Sequence, residues 1–265
     1  MDFSNQTIWV TGGGSGIGAA IARGFAAAGG TVIVSDIDRE HGETVVEDIR
    51  ERGGFAEAQP LDVTDYPALS ATAAFVARHY GGIDHVVACA GVASRHTINQ
   101  MTPETWRRVI DVNLTGAFLV TKAARAAMAE RGGGSIAVVS SVAAEHVAYL
   151  SGVHYAASKT ALVGFVRHAA FELGVKNIRV NAVGPGPMSN RMGGGRFPDD
   201  RLQAMAQNLP LQRVVEPEDV ANTCLFLASP LARAITGVYL PVDGGFLTSR
   251  NAPYRAYFEA HEEAF

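Results

Sequence analysis

The sequence predicts a doubly wound α/β fold, a mostly parallel sheet of about seven strands with helices packed on both faces. Three observations carry that prediction. Short apolar, β-branched runs alternate with helix-like stretches along the chain. The first run is followed at once by a glycine-rich turn and an alanine-rich helix. The third to sixth runs each end in small or polar residues, as expected where a crevice is lined beyond the carboxyl ends of a sheet.

Taken in order, Thr7–Val10 is the first strand and Thr11-Gly12-Gly13-Gly14-Ser15-Gly16-Ile17-Gly18 is the turn after it. Strand, glycine turn, helix is a phosphate-binding order. Missing side chains let the backbone approach a pyrophosphate, and the helix start adds unpaired N–H groups and partial positive charge. The second strand, Thr31–Ser35, ends at Asp36, about twenty residues beyond the glycines. A carboxylate there accepts from both hydroxyls of an adenine ribose and repels a 2′-phosphate, so the expected cofactor is NAD in preference to NADP. Asp38 is better placed than Asp36 to cap the next helix, before Arg39-Glu40.

Further strands are expected at Phe55–Leu61, His85–Cys89, Ser135–Val139, Ile178–Val183 and Val238–Leu240. The third to sixth close on Asp62-Val63, Ala90-Gly91, Ser140-Ser141 and Gly184-Pro185-Gly186. Pro103–Glu130 reads as one unusually long helix, with Thr102 as N-cap and Pro103 in its first position. Asn113 lies inside it, where asparagine competes for backbone hydrogen bonds, so a kink that opens a carbonyl is expected there. With no linker, repeat or composition break, residues 1–265 read as a single domain.

Composition narrows the function. With 48% hydrophobic residues, a sizeable core is expected, and 29 glycines against 11 prolines, without a low-complexity run, point to turns and close backbone approaches. Net charge is −4 with no basic block, so neither nucleic acid nor an anionic membrane is an implied partner. Cys89 and Cys224 lie far apart in apolar segments without CxxC spacing, which fits a reducing compartment. The chain enters its first strand without a charged leader, and no apolar run approaches the ~18 residues of a membrane span. The expected location is the cytoplasm. Eight histidines without HExxH or similar spacing give no catalytic metal.

The chemistry centres on Tyr155-Ala156-Ala157-Ser158-Lys159, because side chains at i and i+4 share a helix face. A phenol ionises near pH ~10, and trading protons at neutral pH requires that value to fall by about two to three units. One cation about 5 Å away, at an effective dielectric near 20, contributes roughly 3 kcal/mol toward that. Lys159 can supply the charge, and a positively charged nicotinamide would act in the same sense. Such a pair is also common on solvated helix faces, so its weight comes from the rest of the chain.

Together these residues resemble the compact, single-domain branch of the short-chain dehydrogenases/reductases from Thr7 to about Gly245. The matching features are Thr11-Gly12-x3-Gly16-x-Gly18, Asp62-Val63, Ala90-Gly91, Asn113, Ser141, Tyr155-x3-Lys159, Pro185-Gly186 and Val242-Asp243-Gly244-Gly245. The resemblance implies a Rossmann-like fold and a catalytic tetrad of Asn113, Ser141, Tyr155 and Lys159. It also implies a cofactor site of Gly12, Ser15, Gly16, Ile17, Gly18, Asp36, Ile37, Asp62, Val63, Cys89, Ala90, Gly91, Tyr155, Lys159, Pro185, Gly186, Met188 and Asn190. Tyr155 would exchange the hydroxyl proton, Ser141 would orient the substrate oxygen, Lys159 would hold the nicotinamide ribose, and Asn113 would support a water chain returning the proton to solvent. Two departures stand out. Ala88-Cys89 replaces a frequent pair of asparagines that braces the fourth strand, and Asn190 stands where a threonine commonly contacts the nicotinamide carboxamide. Ser140 is the neighbouring alternative to Ser141. The four-residue spacing of tyrosine and lysine speaks against the enoyl-thioester reductases of the same superfamily.

Residues 187–209, with three successive glycines at Gly193–Gly195, are expected to form a lid over cofactor and substrate. Arg191 and Arg196 there can grip an anion but read more simply as solvated. Substrate-pocket candidates are Ala93–His96, Ser141, Val142–Tyr149, Tyr155, Pro187 and Met192, a mixed lining that leans apolar and suits a neutral secondary alcohol or ketone, cyclic or aromatic. His154 is expected to project away from Tyr155 and to be structural. The tail, 249–265, carries Tyr254, Tyr257, Phe258 and Phe265 amid acids and reads as packing against core or a neighbouring subunit; the resemblance implies a homotetramer. The leading reading is an NAD-dependent alcohol dehydrogenase. A 3-oxoacyl thioester reductase and a non-catalytic nucleotide sensor are the alternatives.

Overall fold

The computed structural model describes residues 1–147, 151–190 and 195–249. Its sheet has seven strands in the order β3-β2-β1-β4-β5-β6-β7. They are β1 (Thr7–Thr11), β2 (Thr31–Asp36), β3 (Phe55–Pro60), β4 (His85–Ala88), β5 (Gly134–Val139), β6 (Ile178–Pro185) and β7 (Tyr239–Val242). All six strand pairings are parallel. The order reverses at β1, which pairs with β2 on one side and β4 on the other. A crevice opens at such a switch point, beyond the carboxyl ends of the strands.

Side-chain alternation fixes the two layers. Ile8 and Val10 of β1, with Val32 and Val34 of β2, face a core closed by α1 (Gly16–Ala27), α2 (Arg39–Glu51) and α8 (Pro217–Ala228). Trp9 and Ile33 point the opposite way, and join Val86, Ile136, Val138 and Val180 under α3 (Tyr66–Tyr80), α5 (Gly116–Glu130) and α6 (Gly152–Leu173). A register slip of one residue would exchange the two sets, and each fully buried aliphatic side chain contributes about 1.5–3 kcal/mol, so register is firmly specified.

The caps expected from sequence form. Asp38 accepts from the His41 amide at 3.1 Å, and Thr102 from the Thr105 amide at 3.2 Å. Asp65, not anticipated as a cap, accepts from Ala68 at 3.1 Å to start α3. The single helix expected over Pro103–Glu130 is a correction: α4 (Pro103–Ile110) and α5 are separated by a π-helical turn at Asp111–Thr115. Backbone angles on both sides remain right-handed helical, with Ile110 at φ −64, ψ −45 and Gly116 at φ −57, ψ −46. The break is therefore a wide turn within a chain that stays helical from α4 to α5. Two short helices, α7 (Asp199–Ala206) and α9 (Phe246–Ser249), complete the set. Among the described residues, no helix is long and apolar enough to cross a membrane.

Candidate active site

A cavity of about 1280 Å³ occupies the crevice. Its lining brings together every residue expected at the cofactor: Gly12, Ser15, Gly16, Ile17 and Gly18 after β1, Asp36 and Ile37 after β2, Asp62 and Val63 after β3, and Cys89, Ala90 and Gly91 after β4. Pro185, Gly186, Met188 and Asn190 line it after β6. Gly16 has φ +50, and a Cβ built on it meets no atom within 4 Å, so the turn exposes bare backbone to open space. Asp36 is oriented by its neighbours: one carboxylate oxygen accepts from Gly14 N at 2.9 Å and the other from Asp38 N at 3.0 Å. Backbone without side chain beside a fixed carboxylate is the chemistry that a pyrophosphate and a ribose diol require.

Ser141, Tyr155 and Lys159 line the same cavity. Tyr155 and Lys159, on the first turns of α6, are 9% and 3% exposed. Lys159 donates from Nζ to Val139 O at 2.8 Å and lies 5.5 Å from the centroid of the Tyr155 ring. Of the two adjacent serines, Ser140 is buried and donates to Lys159 O at 2.9 Å, which ties β5 to α6. Ser141 is half-buried; its Oγ accepts from Ala143 N at 3.1 Å, and its side chain acts on the Tyr155 phenol to lower its pKa. The geometry thus separates two residues that sequence alone left adjacent.

The electrostatics correct one expectation. Burial pushes the Tyr155 phenol up, outweighing the hydrogen bond from Ser141 that lowers it. Burial also pushes Lys159 down to about 8. With the protein's groups alone, desolvation sets the direction for the tyrosine, and the ammonium beside it is itself sequestered and committed to a carbonyl. At neutral pH the lysine still carries its proton. Burial pushes the Cys89 thiol up to about 12, so it is a neutral wall residue and not a nucleophile.

Asn113 stands behind this surface, only 1% exposed, in the π-helical turn. Its Oδ1 accepts from Val92 N at 2.7 Å, and its Nδ2 donates to Val92 O at 3.0 Å and to Ser158 Oγ at 3.1 Å. The segment after β4 is therefore braced from α6 and the wide turn, which supplies the support that Ala88-Cys89 cannot give. His154 is buried, and its Nδ1 faces the Tyr155 amide at 2.8 Å while Nε2 lies 2.6 Å from Ser94 Oγ. A backbone N–H can only donate, so Nδ1 accepts and the ring is neutral. The histidine is structural, as expected, but it is tied to Tyr155 through the backbone.

Of the substrate candidates, Val142 and Pro187 join Ser141 and Tyr155 in the lining, while Tyr149 and Met192 lie outside the described residues, as does most of the 249–265 tail. Arg196 does not line the cavity and donates to Glu216 at 2.9 Å. Arg191 lies outside the described residues. Arg108, Asp111 and Phe246 also line the cavity and were not legible, since each belongs to a helix whose local pattern says nothing of the crevice. Among the described residues, no group of three or more His, Cys, Asp or Glu side chains is arranged to hold a metal ion.

The chain is similar to known proteins over most of its length. A family model described as enoyl-(acyl carrier protein) reductase matches residues 12–247. The 7alpha-hydroxysteroid dehydrogenase of Escherichia coli (strain K12) is 37% identical over 91% of this chain and 94% of its own length. The 3-oxoacyl-[acyl-carrier-protein] reductase FabG of Thermotoga maritima is 36% identical over 93% of this chain and 100% of its own. A solved 7 alpha-hydroxysteroid dehydrogenase, complexed with NADH and 7-oxo glycochenodeoxycholic acid, superposes with a TM-score of 0.84, covering 92% of this chain and 95% of that one at 36% identity. With a glycine turn, an acidic end to β2 and a Tyr-x3-Lys helix around one cavity, and with these relatives, the chain belongs to the short-chain dehydrogenases/reductases.

Proposed function

We propose that the protein is an NAD-dependent oxidoreductase that interconverts a small neutral secondary alcohol, cyclic or aromatic, and its ketone. The observation that carries this reading is the convergence of Ser141, Tyr155 and Lys159 on the cavity that also holds the glycine turn and Asp36. Gly12 to Gly18 and Pro185 to Asn190 would hold the dinucleotide, with Asp36 on the adenine ribose. Bound NAD⁺ supplies a hydride acceptor at C4 of its nicotinamide, together with a positive charge in the cavity that Tyr155 lines.

In oxidation, the carbinol carbon gives up a hydride and its hydroxyl gives up a proton to Tyr155 as phenolate. Reduction runs the reverse, with Tyr155 as acid. Ser141 Oγ orients the substrate oxygen and stabilises charge on the tyrosine. Lys159 uses one N–H on Val139 O, which leaves two donors for a ribose diol. The side chain of Asn113 is committed to Val92 and Ser158, so a backbone carbonyl of the wide turn it sits in would anchor the water chain that returns the proton to solvent. Residues 187–209 would serve as lid, its start anchored where Pro187 O accepts from Val215 N at 2.9 Å and Ser189 N donates to Val215 O at 3.0 Å.

Phe118 and Phe171, 46% and 81% exposed on α5 and α6, support a homo-oligomer, a tetramer by family analogy. Two unpaired cysteines support a reducing, cytoplasmic setting.

A panel of cyclic secondary alcohols with NAD⁺ and NADP⁺, followed by absorbance of the reduced cofactor, tests the reading. Turnover with NAD⁺ is expected to exceed that with NADP⁺ by about 100-fold, and Asp36→Ala to narrow the gap by at least tenfold, because the carboxylate no longer opposes a 2′-phosphate. The similarity to the Thermotoga reductase favours a second reading, reduction of 3-oxoacyl thioesters. Preferential turnover of an acetoacetyl thioester with NADPH would replace the first reading with that one.

A further inference from the structure

Tyr239 opens β7 and does not line the cavity, yet its hydroxyl reaches the residue that does. In the parallel register, Tyr239 lies opposite Ala182 of β6, two residues before Gly184 on the same face. Its ring runs up the strand across Gly184, where a Cβ would sit 2.3 Å from the phenol oxygen and 2.5 Å from Cζ. Glycine is required there by this crossing, since no backbone strain applies. The hydroxyl then donates to Ser141 O at 2.9 Å.

That carbonyl also accepts from Ala144 N at 2.9 Å, so both of its lone pairs are occupied. On the side chain, Ser141 Oγ accepts from Ala143 N at 3.1 Å and shares the cavity wall with Tyr155, whose phenol pKa it lowers. Ser141 caps the 3₁₀ turn Val142–Ala144 with extended backbone, φ −173 and ψ 158. Three of these partners are local to β5 and its turn or belong to the reacting pair. Tyr239 alone ties the serine to the far side of the sheet.

We infer that Tyr239 is a positioning residue for the catalytic serine: its hydroxyl locks the Ser141 carbonyl and thereby fixes how Oγ is presented to the cavity beside Tyr155, with Gly184 as the clearance that lets it reach. This rests on the assignment of Ser141 and Tyr155 above. Burial, and then the negative charges of Glu145 and Asp243, push the Tyr239 phenol upward, so it donates throughout the working pH range. The lock itself does not titrate.

The test is Tyr239→Phe in the full chain, assayed with NAD⁺ and whichever alcohol of the panel turns over fastest. Ser141 stabilises the Tyr155 phenolate, so a loosened serine raises the tyrosine's kinetic pKa. The rising limb of kcat/KM against pH is expected to move to higher pH by half a unit or more. At pH 7, kcat is expected to fall about 3–10-fold, with KM for NAD⁺ and Tm parental. Gly184→Ala, which keeps the hydroxyl but displaces it, is expected to move the limb the same way, and decides the matter if Tyr239→Phe fails to fold. A limb that stays in place in the folded variant, whether or not kcat falls, overturns the inference. Ser141→Ala separates the two levels: if it turns over like the parent, the catalytic assignment fails; if it is slow while Tyr239→Phe is parental, only the lock fails.

Discussion

Two buried ionisable clusters sit at opposite ends of the same sheet. At the amino end, His85 of β4 is 7% exposed and hydrogen-bonds Ser135 Oγ at 2.9 Å and Gln6 Oε1 at 2.7 Å, with Phe3 and Phe25 against its ring. Burial pushes it down to about 4. At the carboxyl end, Lys159 is equally buried and pushed down to about 8, beside a phenol that burial pushes up. Desolvation acts alike on both. What differs is that both ring nitrogens of His85 are taken by protein partners, whereas Lys159 and Tyr155 face a cavity. A perturbed group is functional when it retains unspent hydrogen-bonding capacity on a space that a ligand can enter, and structural when its partners close around it.

The sharpest way to break that contrast is activity. Tyr155→Phe removes one oxygen and is expected to lower kcat by about 10³-fold or more, with NAD⁺ binding retained in a calorimetric titration. His85→Gln, at a site equally perturbed, is expected to leave kcat within twofold. If the histidine variant lost activity comparably in a folded, NAD⁺-binding protein, the distinction between the two ends would be void.

A smaller effect concerns stability at the carboxyl end. Lys159 is held below its unfolded pKa, so below pH 8 both states carry the charge and the folded state bears the full burial penalty. As pH rises from 8 to 10.5 the folded state sheds its proton first and the penalty disappears. Lys159→Met is therefore expected to be more stable than the parent at pH 7, even after losing the bond to Val139 O. That advantage should shrink by roughly 2–3 kcal/mol toward pH 10. Comparing urea unfolding of the two proteins at each pH cancels the cysteines and tyrosines that titrate in the same range. An advantage that stays constant with pH would show that the ammonium is not desolvated as the geometry requires.

Much of this arrangement was readable from sequence, for identifiable reasons. Gly12 to Gly18, Asp36 and the Tyr155–Lys159 pair are local in the chain, so spacing alone reports their shared face or turn. The strands were legible because each alternates or runs apolar between punctuating residues. The π-helical turn at Asp111–Thr115 was not, because its cause is tertiary: Asn113 is drawn toward Val92 and Ser158, which are distant in sequence. The direction of the Tyr155 shift was misjudged for a related reason. A charge at i+4 is visible in a sequence, but the burial that outweighs it is a property of the packed sheet. Tyr239 and Gly184 carry no local signal at all, since one explains the other only across the β6–β7 pairing.

The amino end yields the smallest effect and the most direct check on its closed character. Nε2 of His85 donates to Gln6 Oε1, and because burial keeps the ring neutral Nδ1 accepts from the Ser135 hydroxyl. A folded-state pKa of about 4 lies below the unfolded value of 6.5, so stability from this site is present above pH 6.5 and is lost as pH falls toward 4. Between pH 7 and 5 the parent is expected to lose about 2 kcal/mol through this group, and His85→Gln, which keeps a donor and an acceptor but cannot titrate, is expected to lose that much less. Because the cluster has no opening, added NAD⁺ should raise Tm by the same amount in both proteins at pH 7, where neither site differs in charge. A cofactor-dependent stabilisation that differs between them would mean the two ends of the sheet are coupled, and that the closed cluster reports on the open one.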